Sequence, residues 1–395
     1  WRTDLGRRHV QQPLQPTMDF NSSTHRRHWI FTKETLQEVH EETVKLAAEA
    51  CAAGTPPEGS RSFAVTRSTA GDESGGQVTT DNEEGTLDVE GEGGVPATDT
   101  GEGDSGGKGQ GGGSGKKRPA PTASSAEPLL TVEEECLVKN YYAKKIQETC
   151  GRDSADEDLR RSDKVQATAV AYFHRFYLSN SVLEHDPKIL ILTCVFLASK
   201  TEEQMTNVNL LAKATGLDDL QILGKELTLL QGLSFHLAVF HPYRALPALV
   251  EGARLKAKTE GIPPQPERIM ALHDGARAAL DDILVTDLPF LHPPSRLALA
   301  ALLRESRRME APPFDLPALL GKEFGDREGW KDLLREAQRL ALELDAILPY
   351  RVEKDKLIAV NKKLKKHAWW SQKRGRVEGG GGRERRKSKK IKTEA

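Results

Sequence analysis

The chain has 395 residues, with 57 Lys and Arg against 58 Asp and Glu, a formal net charge of -1 and 37% hydrophobic residues. That length allows two or three domains, but its 34 glycines and 21 prolines fall unevenly, and much of the N-terminal third is too poor in apolar residues to fold compactly. Four cysteines, Cys51, Cys136, Cys150 and Cys194, have no paired short spacing, which argues against a disulfide framework and a zinc site and for a reducing compartment. No secretory leader and no apolar run of about 20 residues is present, so the chain reads as soluble and intracellular, without a membrane partner.

Trp1 opens the chain and Met18 opens the segment MDFNSSTHRRHWIF, so residues 1–17 are expected to lie outside the native start. Residues 1–31 read as an N-terminal arm. A first helix is expected over 32–52, from about Lys33 to Cys51, with Thr32 as cap and Phe31 and Leu36 placed as a hydrophobic staple. Its narrow stripe of Leu36, Val39, Val44 and Ala47 predicts a satellite lying on a larger body. Residues 53–128 form an acidic, Gly-rich insert whose composition predicts disorder. Its GGKGQGGGSGKKRP stretch lacks the spacing of a phosphate-binding loop, and no strand precedes it.

From Thr131 to about Ile347 the pattern is almost continuously helical. Thr131 and Glu134 form a capping-box signature ahead of Leu137, Tyr141 and Ile146. A helix from Asp163 to Tyr177 follows, then one from Pro187, a short one over Val208 to Thr215, and one from Asp218 to about Gly232, with Gly216 and Gly232 as stops. The Pro187 helix is the most informative element. Asp186 and Pro187 suit a helix start, and Ile189, Leu190, Ile191, Leu192, Val195, Phe196 and Leu197 cover every azimuth, so protein must surround it. At its end Lys200, Glu202 and Glu203 mark the surface.

The pattern then recurs at a spacing of about 100 residues, a length typical of one small domain. Helices are expected over Pro242 to Ala257, Pro266 to Thr286, Pro294 to Ser306, Leu316 to Phe324 and Arg327 to Leu348. The connections SNSVLEHDP and TDLPFLHPP both lead through proline into a helix rich in Leu and Ala. The fold class is all-α: two consecutive bundles of five helices, at 129–236 and 237–349, followed by a C-terminal helix at 350–370 and a basic disordered tail at 371–395. The basic cluster from Arg383 to Lys392 reads first as a nuclear import signal, and direct nucleic-acid binding is not expected.

The residues RHWIF at Arg27 to Phe31, the segment from Ala171 to Glu203 and LSFHLAVFHPYRALP from Leu233 to Pro247 resemble the cyclin family, and the wording of the first repeat is most like cyclins of the H type. The resemblance spans most of Met18 to Trp370 apart from the insert and is far stronger in the first repeat. It implies a nuclear regulatory subunit, not an enzyme, with a cyclin-dependent protein kinase of the CDK-activating type as partner. It further implies an assembly factor and the core of general transcription factor H (TFIIH) as associates, and phosphorylation of RNA polymerase II C-terminal repeats. Carried over residue by residue, the cyclin-box lysine matches Lys200 and the cyclin-box glutamate matches Glu226, the two residues expected to contact the kinase near its αC helix. Glu203 and Trp29 join them as candidate kinase-binding residues, Trp29 either as a contact or as an anchor of the N-terminal helix. The docking motif of cell-cycle cyclins is not visible in LVKNYYAKKIQ.

No metal, cofactor or catalytic residue is expected, since His174, His185, His236, His241 and His292 share no ligand spacing with Cys or acidic partners. Tyr172, Phe173 and Phe176 fit a core helix. The alternative readings are another transcriptional cyclin, a two-repeat general transcription factor and a helical scaffold; the second would bring paired zinc cysteines, which the sequence lacks.

Overall fold

The computed structural model describes residues 20–53, 61 and 129–366, and every regular element among them is helical. The expectations for residues 1–17, for the tail and for the insert apart from Ala53 and Arg61 fall outside the described residues. In chain order the helices are α1 (Thr24–Trp29), α2 (Lys33–Ala53), α3 (Val132–Cys150), α4 (Asp163–Ser179), α5 (Pro187–Thr201), α6 (Val208–Thr215), α7 (Asp219–Leu223) and α8 (Glu226–Gly232). A second series follows: α9 (Ala245–Thr259), α10 (Pro266–Leu284), α11 (Leu288–Leu291), α12 (Pro294–Arg308), α13 (Leu316–Phe324), α14 (Trp330–Ile347) and α15 (Lys354–Lys366).

The start signals act locally as expected. Asp186 accepts a hydrogen bond from the Lys188 N–H at 2.9 Å with Pro187 in the first turn. Thr131 and Glu134 close a reciprocal capping box, and Thr32 Oγ1 accepts from the Thr35 N–H at 3.2 Å. Gly216 ends α6 in the left-handed region at φ 68°, where a side chain would be strained.

Three differences have physical causes. The segment read as an arm carries α1, because Ser23 accepts from the Arg26 N–H and gives six residues a start. The helix expected from Asp218 to Gly232 breaks at Gly224, so that Glu226 begins a new helix. Gly232 is a contact glycine as much as a stop: a Cβ there would stand 2.4 Å from Phe176 Cδ2, so its absence lets α8 press against α4.

Each repeat is built around one enclosed helix. In the first, α5 is packed by α3, α4, α7 and α8, and Leu190, Leu192, Cys194, Val195, Leu197 and Ala198 are buried. In the second, α12 takes this place among α9, α10, α13 and α14, with Leu297 to Leu303 buried without interruption. Helix α2 lies on α3 and α4 and buries Leu36, Val44 and Ala47, three residues of the expected stripe, with Val39 partly buried.

Polar contacts fix the repeats to each other. Asp282 of α10 pairs with Lys144 of α3 at 3.0 Å, Gln147 Nε2 donates to the Asp281 carbonyl at 2.6 Å, and Arg277 pairs with Asp163. Lys139, buried on α3, stands 3.2 Å from His40 Nδ1 of α2, while His40 Nε2 lies 3.3 Å from Asp287 Oδ2 in the link between α10 and α11. Burial alone would lower the Lys139 pKa, but Cys136, Glu135 and Asp287 outweigh it and raise it. Against the cost of burial, the His40 hydrogen bond and the Lys139 charge hold the Asp287 carboxyl well below its usual range. Arg61, the described residue inside the insert, pairs with Glu184 and bonds Asn180 through its N–H at 2.8 Å, so this point of the insert is docked on the first repeat.

Glu202 was expected to mark the surface, yet its side chain is only 15% exposed. It accepts from Thr168 Oγ1 at 2.6 Å and lies 3.5 Å from His241 and 3.3 Å from Lys164, so it ties the end of α5 to the inter-repeat linker. The hydrogen bond with His241, opposed by burial and joined by the one from Thr168, lowers its pKa from 4.5 to about 2.

Two predictions follow the packing. Gly232→Ala should destabilise the protein by about 1–3 kcal/mol through overpacking against Phe176, read as a lower urea midpoint with an unchanged slope. Glu202→Gln should cost about 1–3 kcal/mol at neutral pH. A depressed carboxylate pKa gives stability that is complete above the ordinary value of 4.5 and is lost as pH falls toward about 2. The midpoint difference between wild type and variant should therefore narrow below pH 4.5; a widening there would refute the assignment.

Candidate functional site

The last turn of α5 reaches the surface at Lys200, and the break at Gly224 brings the start of α8 beside it. The Lys200 ammonium forms an ion pair with Glu226 Oε1 and stands 5.2 Å from the centre of the Phe196 ring, one turn back on α5. As the first residue of α8, Glu226 places its carboxylate at the positive end of the helix dipole. The side chains are 38% and 20% exposed, so the pair is organised but reachable. An exposed ion pair adds about 0–1 kcal/mol to stability, too little for the fold to depend on it.

The chain segment that carries Glu226 is apolar for a surface. Half of the exposed large hydrophobic side chains among the described residues lie between Met205 and Phe235, which places them on or next to α6, α7 and α8. Leu227, directly after Glu226, is 60% exposed and Phe235 is 61% exposed. The backbone at the margins of this face is strained: among the described residues the non-glycine positions with positive φ are Glu203 (56°), Ser234 (50°) and Phe235 (57°). Each such residue costs on the order of 1 kcal/mol and persists where surrounding structure imposes it, commonly at binding sites. Sequence reasoning missed Leu227 and Phe235. A lone exposed apolar residue in a helical pattern gives no signal, and only adjacency to Glu226 could have drawn notice.

Of the four candidates, Lys200 and Glu226 come together, and Glu203 lies exposed just beyond them on its left-handed corner. Trp29 is corrected to an internal anchor. It is 1% exposed, its ring lies 4.9 Å from the Arg175 guanidinium, and it clusters with Leu36, Leu178 and Phe290, leaving no surface for a partner.

One group of possible metal donors does meet in space. His40, Cys136 and Asp287 offer atoms within 4.8 Å of one another. Long sequence separations hid this cluster. The buried Lys139 ammonium beside His40 supplies positive charge to this cluster, and burial raises the Cys136 thiol pKa to about 11, so the group acts here as a charge clamp. Among the described residues no helix is long and apolar enough to cross a membrane.

Two family descriptions match the two bundles: "Cyclin, N-terminal domain" over residues 156–238 and "Cyclin C-terminal domain" over residues 241–363, together just over half of the chain. Among curated relatives, Cyclin-H1-1 of Arabidopsis thaliana is 38% identical over 175 residues, which is 44% of this chain and 49% of the relative. Cyclin-H of Xenopus laevis is 38% identical over 186 residues, covering 45% and 54%, and Cyclin CCL1 of Saccharomyces cerevisiae is 31% identical over 201 residues, covering 51% and 47%. The chain thus spans about half the length of the curated relatives it matches. Among solved structures, a chain of the CAK complex of Chaetomium thermophilum bound to ATP-gamma-S aligns with a TM-score of 0.60 at 21% identity, covering 95% of this chain and 98% of that one. A chain of the yeast TFIIK (Kin28/Ccl1/Tfb3) complex aligns with a TM-score of 0.51 at 21% identity, covering 82% and 100%. These structural likenesses speak for the fold. With its enclosed helices α5 and α12 each at the centre of a matched domain, the chain belongs to the cyclin family.

Proposed function

We propose that this cyclin is the regulatory subunit of a cyclin-dependent kinase of the CDK-activating and TFIIH type, and that in the nucleus it supports phosphorylation of RNA polymerase II C-terminal repeats. The observation that carries this reading is the Lys200–Glu226 pair set in an exposed apolar rim. The relatives named H-type cyclins, and the CAK and TFIIK complexes whose chains share the fold, support the choice of partner.

In this reading the cyclin's contribution is conformational. Leu227 and Phe235 bury apolar area against the kinase, while Lys200, Glu226 and Glu203 set the register of its αC helix through charged hydrogen bonds. Fixing that helix favours the kinase state in which the lysine–glutamate pair and the magnesium site are assembled. Shifting such an equilibrium from 1:99 to 99:1 takes about 5.5 kcal/mol of differential binding, within reach of a protein interface. Trp29 acts indirectly, by holding α1 on the body.

The test is to mix the recombinant chain with a CDK-activating-type kinase and measure phosphorylation of a polymerase C-terminal repeat peptide. Stimulation is expected, and no stimulation of any such kinase would overturn the reading. Lys200→Glu should weaken kinase affinity about tenfold or more with thermal stability nearly unchanged, and Phe235→Glu about 10- to 100-fold. The double exchange Lys200→Glu with Glu226→Lys should keep the internal ion pair and still fail to restore kinase affinity. A large loss of stability in Lys200→Glu alone would make the lysine structural.

A further inference from the structure

Arg175 on α4 is 1% exposed. Its Nη1 donates to the carbonyls of His236 and Ala238, both at 3.3 Å, while Nη2 is buried without a hydrogen-bond partner. Among the described residues no carboxylate acts on it; the Tyr172 phenol and the Trp29 ring face, 4.9 Å away, favour its charge. Burial pulls its pKa down to about 9, which leaves it charged at neutral pH. Two carbonyls and a ring face answer this charge only in part, and a buried cation without an anionic counter-ion is costly in general.

Beside Arg175 lies a cavity of about 40 Å³ between α4, the linker from Val239 to Pro242, α11 and the start of α12. Four histidines, His25, His174, His241 and His292, line it with Arg175, and no Asp or Glu does. His174 Nε2 and both ring nitrogens of His292 are buried and unpartnered. Pro294 and Leu297 on the wall belong to the first turn of α12, whose cap residue Pro293 offers no side-chain acceptor.

We propose that this cavity binds a small monovalent anion of halide size, held between Arg175 and His174 on one side and His292, just before α12, on the other. The void of about 40 Å³ could hold about three or four waters, each needing about 10–15 Å³, but water would satisfy hydrogen bonds and leave the charge uncompensated. The rest of the wall, with Val170, Leu284, Phe290 and Leu297, suits a weakly hydrated ion over a strongly hydrated one. Because α4 belongs to the first repeat and His292 to the second, the ion joins the two across their junction.

Crystals of the full chain grown in sodium bromide test the site directly. An anomalous peak in the cavity beside Arg175 Nη2 is expected; bromide confined to the outer surface, with water in the cavity, would overturn the proposal. In solution, replacing sodium gluconate by sodium chloride at constant ionic strength should raise the thermal midpoint of the wild-type chain in a saturable way. Arg175→Gln should abolish that response and His292→Leu should weaken it. If Arg175→Gln does not fold, the diffraction result and His292→Leu decide, and a chloride response equal in wild type and His292→Leu counts against the site.

Discussion

The arrangement of this protein depends on a buried ammonium. Lys139 lies buried on α3, where a charge survives only if its surroundings answer it, and the answer comes from Cys136 and Glu135 on the same helix and from Asp287 beyond α10, with His40 of the N-terminal helix 3.2 Å away. His40 and Asp287 come from segments remote in sequence, so this one charge ties α2 and the second repeat to α3.

The functional face is soft by comparison. Lys200 and Glu226 are partly exposed, bound to each other and underpinned by the Phe196 ring, so the fold keeps them in place without needing them. Stability resides in enclosed α5, and the recognition proposed for its last turn would let the partner-facing charges vary without cost to the core. The strained corners at Glu203 and Phe235 make the complementary point: backbone energy is held at the rim, where a partner would reward it.

Legibility in the sequence followed how local each cause is. The capping box of Thr131, the start at Asp186 and the all-round apolar surface of α5 depend on neighbours within a turn or two, and they were readable. Helix α1 escaped because six residues are too few for periodicity, although Ser23 offered a cap. The break at Gly224, the burial of Trp29 against Arg175 and the tie from Glu202 to His241 depend on partners brought close only by folding. Lys200 and Glu226 were found through family resemblance; charge pattern alone would have left each as an ordinary solvated residue. Their direct pairing came from the structure.

The missing side chain at Gly232 has a consequence beyond packing. Because α8 rests on the ring of Phe176 at Gly232, the helix that Glu226 begins is seated at its far end on a residue wholly enclosed in the first bundle. A larger ring there would push on α8 and, through it, on its first residue. If Glu226 meets the kinase as proposed, interior variation that never touches the partner would be read out as altered affinity.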